Sequence, residues 1–335
     1  LTNLTEPASD NTSSKTWQAL FNQGVEQLAA SGLEAVGDTP ESDVRRLLVA
    51  ASGLELDELL KIWHQPADAR SAAQFEAMLR ECLTGRPLQY VLGGWGFRSL
   101  DLYLDERVLI PRPETECLVE VAMLELARRR KMLSQQPASS APSGTQASSA
   151  PPAPHRKLRV ADLGCGSGAI GLSIAAELTD VEVFCCDISH DALAVTRANL
   201  AGLGMAASPV YLGQGSWYEG LKQATQLVGD ETTTEVDLIC SNPPYIANSE
   251  TLPPSVHNFE PTEALYAGET GTEAIAELLE GIPKWLLPGG SFVCEIAPAQ
   301  AGFASRLAQE AGLAEVKITS DLAGRERVLR ARKPT

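Results

Sequence analysis

From Leu158 onward the chain alternates short apolar runs with amphipathic ones, and this alternation restricts the possible folds more than any other feature. LRVAD, VEVFCCD, PVYLG, VDLICS and SFVCEIA read as strands, and AIGLSIAAEL, DALAVTRANLAGLG, EAIAELLEGIPKWL and AGFASRLAQEAG as helices alternating with them. Strands that are apolar along their whole length are buried on both faces, which requires a parallel sheet with helices on either side. AEVKITS and ERVLRAR close the chain with no helix between them, so one of the two runs antiparallel. The expectation is an α/β domain built on a mostly parallel seven-stranded sheet.

The segment before this sheet has a different character. Residues 16–86 read as a small helical bundle: TWQALFNQGVEQLAASG places Leu20, Phe21, Val25 and Leu28 on one face, and ESDVRRLLVAASG stops at Gly53. The bundle has no titratable cluster of its own, which suits a docking domain better than a catalytic one. LQYVLGGWGFRSLDLYLDERVLI, within a linker at 87–113, reads as a β-hairpin with turns at Gly93, Gly94 and Gly96. PRPETE then suits the start of a helix, TECLVEVAMLELARRRK, which opens a catalytic domain at 114–333. Arg128, Arg129, Arg130 and Lys131 read as cations complementing the end of that helix rather than as an RNA-binding patch. Residues 134–155, almost all Ser, Ala, Pro, Gly, Gln and Thr, read as a disordered insertion, and residues 1–15 as a disordered tail. GDETTTE reads as a shorter surface loop.

Composition weighs against several classes. The formal net charge of −16 lowers the expectation of a nucleic-acid partner, because phosphate neutralisation needs basic surface. No apolar run approaches the ~18–20 residues of a membrane span, and the N-terminal residues have no apolar signal core. The seven cysteines show no CxxC spacing, and the four histidines are scattered. This points to buried reduced thiols in a cytoplasmic setting, with no metal site.

The first of the sheet strands runs into Asp162-Leu-Gly164-Cys165-Gly166-Ser167-Gly168 and then a helix. Such a loop at the carboxyl end of a parallel strand lets backbone approach a ligand closely. Asp187 ends the second strand, nineteen residues after Gly168, where a carboxylate can accept both ribose hydroxyls. The spacing differs from the dinucleotide pattern. It resembles that of S-adenosylmethionine-dependent methyltransferases with a Rossmann-like fold.

The fourth strand ends in Ser241-Asn242-Pro243-Pro244-Tyr245. A planar amide or exocyclic amine is a poor nucleophile because its lone pair is delocalised. The Asn242 side-chain oxygen and the Pro243 carbonyl can accept its two hydrogens and orient it, and Tyr245 can stack on its plane. NPPY in this position is similar to that of amino-methyltransferases, among them adenine-N6 DNA enzymes and glutamine-N5 enzymes.

GRPLQYVLG with Phe97, LIPRPETE at 109–116, the FEP of Phe259-Glu260-Pro261 and GRERVLRARK resemble the release factor glutamine methyltransferase family over roughly residues 17–333. The resemblance implies S-adenosylmethionine as cofactor, held by Gly164, Cys165, Gly166, Ser167, Gly168, Asp187, Trp217 and Asn242. It implies a catalytic and substrate-binding set of Asn242, Pro243, Pro244 and Tyr245. The implied substrate is the glutamine of the Gly-Gly-Gln motif in class 1 release factors, with no membrane partner and no direct nucleic-acid substrate. In the family an acid often precedes the aromatic at Trp217, where this chain has Ser216. Amino-methylation of DNA or RNA is the alternative reading, and a non-catalytic cofactor-binding scaffold is a third.

Overall fold

The computed structural model describes residues 15–33, 39–135, 156–204, 208–229 and 234–335. The expected tail up to residue 14, residues 136–155 of the expected insertion and the middle of GDETTTE lie outside the described residues. The chain divides into two compact units. One runs to Gly93 and includes Pro254–Phe259, and the other comprises Gly94–Pro253 and Glu260–Thr335.

The first unit is helical. Helix α1 (Trp17–Ser31) is capped by the Thr16 side chain, which accepts from the Ala19 amide. Helix α2 (Pro40–Ser52) combines a Thr39 cap with Pro at its first position and ends at Gly53 with φ 68°. Short α3 (Leu56–Lys61) precedes α4 (Ala69–Leu83), which is capped by Asp68. Leu20, Val44, Leu47, Leu48, Phe75 and Leu79 form the core. The buried face of α1 centres on Trp17, Leu20 and Gly24, while Phe21, Val25 and Leu28 are half-buried. Gly24 permits the close crossing, since a Cβ there would lie 2.9 Å from Phe75 and 3.0 Å from Val44.

The expected hairpin at 88–110 is corrected at its start. Leu88–Leu92 is a short helix, α5, that buries Leu88, Gln89 and Tyr90 and is closed by left-handed Gly93. The unit boundary therefore falls at Gly93, and the hairpin belongs to the second unit. Its strands are β1 (Gly94–Phe97) and β2 (Leu100–Tyr103), and its turn is at Arg98–Ser99 rather than at the glycines. Gly94 lies within the strand because a Cβ would come 3.0 Å from the Leu102 carbonyl oxygen.

Helix α6 (Thr115–Gln135) leads into the sheet. Strands β3 (Leu158–Leu163), β4 (Val181–Asp187), β5 (Val210–Gln214), β6 (Val236–Ser241), β7 (Leu286–Glu295), β8 (Ala314–Ser320) and β9 (Glu326–Arg332) lie in the order β5-β4-β3-β6-β7-β9-β8. The first five are parallel, and β9 runs antiparallel to both β7 and β8. Every residue of β3 and β6 is buried. The connecting helices are α7 (Ala169–Glu177), α8 (His190–Gly202), α9 (Tyr218–Gln226), short α10 (Pro254–His257) and α11 (Thr262–Leu265), α12 (Glu273–Trp285) and α13 (Ala301–Glu310). Strand order reverses between β3 and β6, and a parallel sheet binds ligands at the carboxyl ends of such a pair.

The arginine cluster does not end its helix: α6 continues through Ser134 and Gln135, the first two residues of the expected insertion. Arg128 binds Glu125 and the Gly289 carbonyl, and Arg130 pairs with Asp180. Arg129 is buried against Asp237 at 2.8 Å. The same carboxylate takes two hydrogen bonds from Arg156, at 2.6 and 2.7 Å, and one from the Arg159 amide. Burial would raise the Asp237 pKa, but Arg156, the Arg159 amide and Arg129 together hold it below its ordinary value. The fold thus grips the chain on both sides of 136–155. Extra flexible loop length costs only ~0.6 kcal/mol per doubling. Joining Gln135 to Arg156 through a short Gly-Ser linker should leave the melting temperature within about 2–4 °C, the shift that 1 kcal/mol produces in a domain of this size. Turnover should also be unchanged, and a large loss of either would show that the segment contributes to the fold or the site.

Candidate active site

Register places the two sequence motifs side by side. Asp162 of β3 pairs with Cys240 of β6, so the glycine loop and Asn242 leave adjacent strand ends. Leu163 pairs with Cys186, which puts Asp187 beside the same loop. Together they border a cavity of about 410 Å³. Of the expected residues, Gly164, Cys165, Gly166, Ser167, Asp187, Trp217, Asn242 and Pro244 line it. Gly168, Pro243 and Tyr245 do not.

The loop's shape depends on left-handed backbone at Gly164, Gly166 and Gly168, with φ of 73°, 55° and 84°. Gly168 acts from outside the cavity. It precedes α7, and a Cβ there would lie 2.8 Å from Leu172 and 2.9 Å from Thr196. Thr196 donates to the Gly166 carbonyl, and Asn199 donates to those of Ser167 and Tyr103, which ties the hairpin to the loop. Asp162 sits beneath the loop, accepting from the Gly171 amide at 2.8 Å. Burial pushes its carboxyl up to about 7 against that hydrogen bond, with Asp187 adding to the rise.

Asp187 accepts from the amides of Gly166 and Ser189, both at 2.9 Å. Burial raises its pKa, the two amides act against the rise, and Glu263 adds to it. A carboxylate has about four lone-pair positions, so two remain for ligand hydroxyls. Trp217 has φ 39°, and its indole nitrogen donates to Glu277 at 2.9 Å. A Cβ on Gly164 would meet the Trp217 ring at 3.2 Å, so the missing side chain makes room for the indole against the loop.

Around Asn242 the structure adds groups that sequence reasoning missed. Asn242 Nδ2 donates to Thr115 Oγ1 at 3.3 Å, and the Thr115 hydroxyl donates to Glu295 Oε2 at 2.7 Å. Thr115 and Glu295 are both buried. Burial pushes the Glu295 carboxyl up to about 7, the Thr115 hydrogen bond lowers it, Glu114 raises it, and Arg327 and Arg112 lower it. A signal for Glu295 was available: it ends the strand beside β6, with Cys294 in register with Ser241. For Glu277 and Glu263 there was none, because α12 and the short helix α11 had no marked relation to the cavity.

Pro243 is buried, and the Tyr245 carbonyl accepts from Gln300. Burial, with Glu295 nearby, pushes the Tyr245 phenol up to about 12, which keeps it neutral. The LIPRPETE and FEP segments meet through Glu260, which accepts from Arg112 at 2.5 Å and from the Ile110 amide at 3.2 Å. Leu109, Pro111, Thr115 and Pro261 from these segments line the cavity.

The residues present fit the implied cofactor. The wall at Gly166 is open, with nothing within 4 Å of a Cβ built there, and Asp187 keeps free acceptor positions beside it. Fold and site together are those of a Rossmann-like S-adenosylmethionine-dependent methyltransferase. Residues 149–264 match the methyltransferase small domain family and residues 19–93 the PrmC N-terminal domain. The release factor glutamine methyltransferase of Rhodopirellula baltica is 35% identical over 88% of this chain and 90% of its own length. That of Bordetella pertussis is 36% identical over 86% and 93%, and that of Cereibacter sphaeroides 34% over 92% and 96%. The chain belongs to the release factor glutamine methyltransferase family.

Proposed function

We propose that this chain transfers a methyl group from S-adenosylmethionine to the side-chain amide nitrogen (N5) of the glutamine in the Gly-Gly-Gln motif of class 1 peptide chain release factors. The observation that carries the reading is the state of Asn242. Its Nδ2 is engaged with Thr115 while its Oδ1 has no partner among the described residues, at the wall of a cavity that the glycine loop also lines.

The cofactor supplies a methyl on a sulfonium, an electrophile whose departure leaves a neutral thioether. Gly164–Ser167 and Trp217 would shape the pocket that holds it, and Asp187 would accept hydrogen bonds from its ribose hydroxyls. Asn242 Oδ1 accepts a hydrogen of the substrate amide and so orients the nitrogen toward the methyl group. Pro244 forms the adjoining wall. The N–C bond forms as the S–C bond breaks, and the nitrogen gives up one of its two protons to water once it is alkylated; neither Asn242 nor neutral Tyr245 is a base near pH 7, so the chain's contribution is positioning and electrostatics.

The helical unit before Gly93 is read as the part that grips the protein substrate. The net charge of −16 favours encounter with a partner whose surface is basic, and salt should slow that encounter. Seven free thiols support a cytoplasmic setting. Among the described residues no helix is long and apolar enough to cross a membrane.

Incubation with labelled cofactor and a class 1 release factor should add one methyl, about 14 Da, to the amide nitrogen of that glutamine, the only nitrogen its side chain has. A release factor carrying glutamate there lacks the nitrogen and should take no label. Label that persists on the glutamate form, or that goes to duplex DNA, would overturn the assignment.

A further inference from the structure

The hydrogen-bond chain behind Asn242 has a direction. Glu295 carries no exposed surface, and its Oε2 takes the hydrogen of the Thr115 hydroxyl. With Glu295 ionised that hydrogen is committed, so Thr115 Oγ1 faces Asn242 as an acceptor only and must receive an N–H. An asparagine amide has an oxygen and a nitrogen of nearly equal size, and either orientation fits the same space. Only the orientation with Nδ2 toward Thr115 satisfies the chain. We propose that Thr115 and Glu295 are positioning residues that select the rotamer of the Asn242 amide and thereby hold Oδ1, the acceptor, toward the substrate nitrogen.

The reversed amide would present N–H groups to a nitrogen that itself carries N–H, and transfer would lose its orienting bond. A second observation supports a role beyond packing. Glu295 Oε1 is buried without a hydrogen-bond partner, an arrangement that is costly if the carboxylate serves only to fill space. The charged and titratable groups around it are Glu114, Arg112, Arg327, Tyr245, Cys117 and Cys294. None of these is an alternative donor to Thr115 or Asn242 in the structure.

The inference rests on the proposed glutamine methylation, so the wild-type enzyme with a class 1 release factor is the reference. Thr115→Val keeps the side-chain shape and removes the hydroxyl. It should lower kcat roughly ten- to hundredfold, the scale of a misplaced catalytic group, while the cofactor Kd and the KM for the release factor stay within about threefold. Thr115→Ser restores the hydroxyl and should return kcat to near the wild-type value. Glu295→Gln offers both a donor and an acceptor to Thr115, so it no longer dictates the direction of the chain. It should show the same loss of kcat at unchanged cofactor affinity, and it serves if the valine variant fails to fold.

Wild-type kcat in folded Thr115→Val or Glu295→Gln would overturn the inference, as would a serine variant as impaired as the valine one. A fall in melting temperature with unchanged kcat would assign the pair a purely structural role and overturn it too. A wild-type enzyme that transfers nothing to glutamine would defeat the functional reading first, and this inference with it. Active wild type with unaffected variants would defeat this inference alone.

Discussion

Asn242→Ala should lower turnover by about 10²–10³-fold, the range measured when one preorganised polar group that stabilises a transition state is removed. The loss should fall mainly on kcat. Asn242 lines the cavity at the end of β6, so some cofactor affinity should go with it, but less than turnover. Single-turnover kinetics at saturating cofactor separates the two contributions. Because Asn242 cannot ionise near neutral pH, the defect should not be rescued by raising the pH, as a missing base might be by hydroxide. A folded variant with near wild-type turnover would refute the role.

Asp187→Ala should weaken cofactor binding by ~1.5–3 kcal/mol, or roughly 10–150-fold in Kd, the scale of hydrogen bonds to a charged acceptor. Part of that loss comes through the protein itself, because Asp187 also holds the amides of Gly166 and Ser189. Asp187→Asn keeps one acceptor oxygen and should lose less affinity than the alanine variant. Calorimetry showing an unchanged Kd for folded Asp187→Ala would remove Asp187 from the ribose site.

The sheet was legible because its strands are continuous apolar runs and its helices carry a separate period. Even the antiparallel pairing at the end followed from the missing crossover helix between β8 and β9. The glycine loop, Asp187 and Asn242 were legible for a related reason: each stands at the carboxyl end of a recognisable strand, and parallel register brings such ends together. Gly168, Pro243 and Tyr245 shared those motifs but do not reach the cavity, because a motif marks a stretch of chain and not which side chains face inward.

Thr115 and Glu295 are 180 residues apart. Nothing in the period of either segment reports a hydrogen bond between them. The 88–92 segment misled because its aromatic and branched residues suit a strand, whereas local burial and the Gly93 stop made a short helix.

The grip of Asp237 on Arg129 and Arg156 has an evolutionary consequence. Where chain leaves and re-enters a fold at freely moving points, each change in the length of the intervening segment perturbs the neighbouring elements. Here α6 and the start of β3 are fixed to a common anchor whatever the length of that segment. A change in the length of that segment should therefore leave the active site in place, the outcome that the Gln135–Arg156 linker variant measures. Losing Asp237 would strand the buried charge of Arg129, whereas losing either arginine leaves the carboxylate with the other, so Asp237 is the least replaceable of the three.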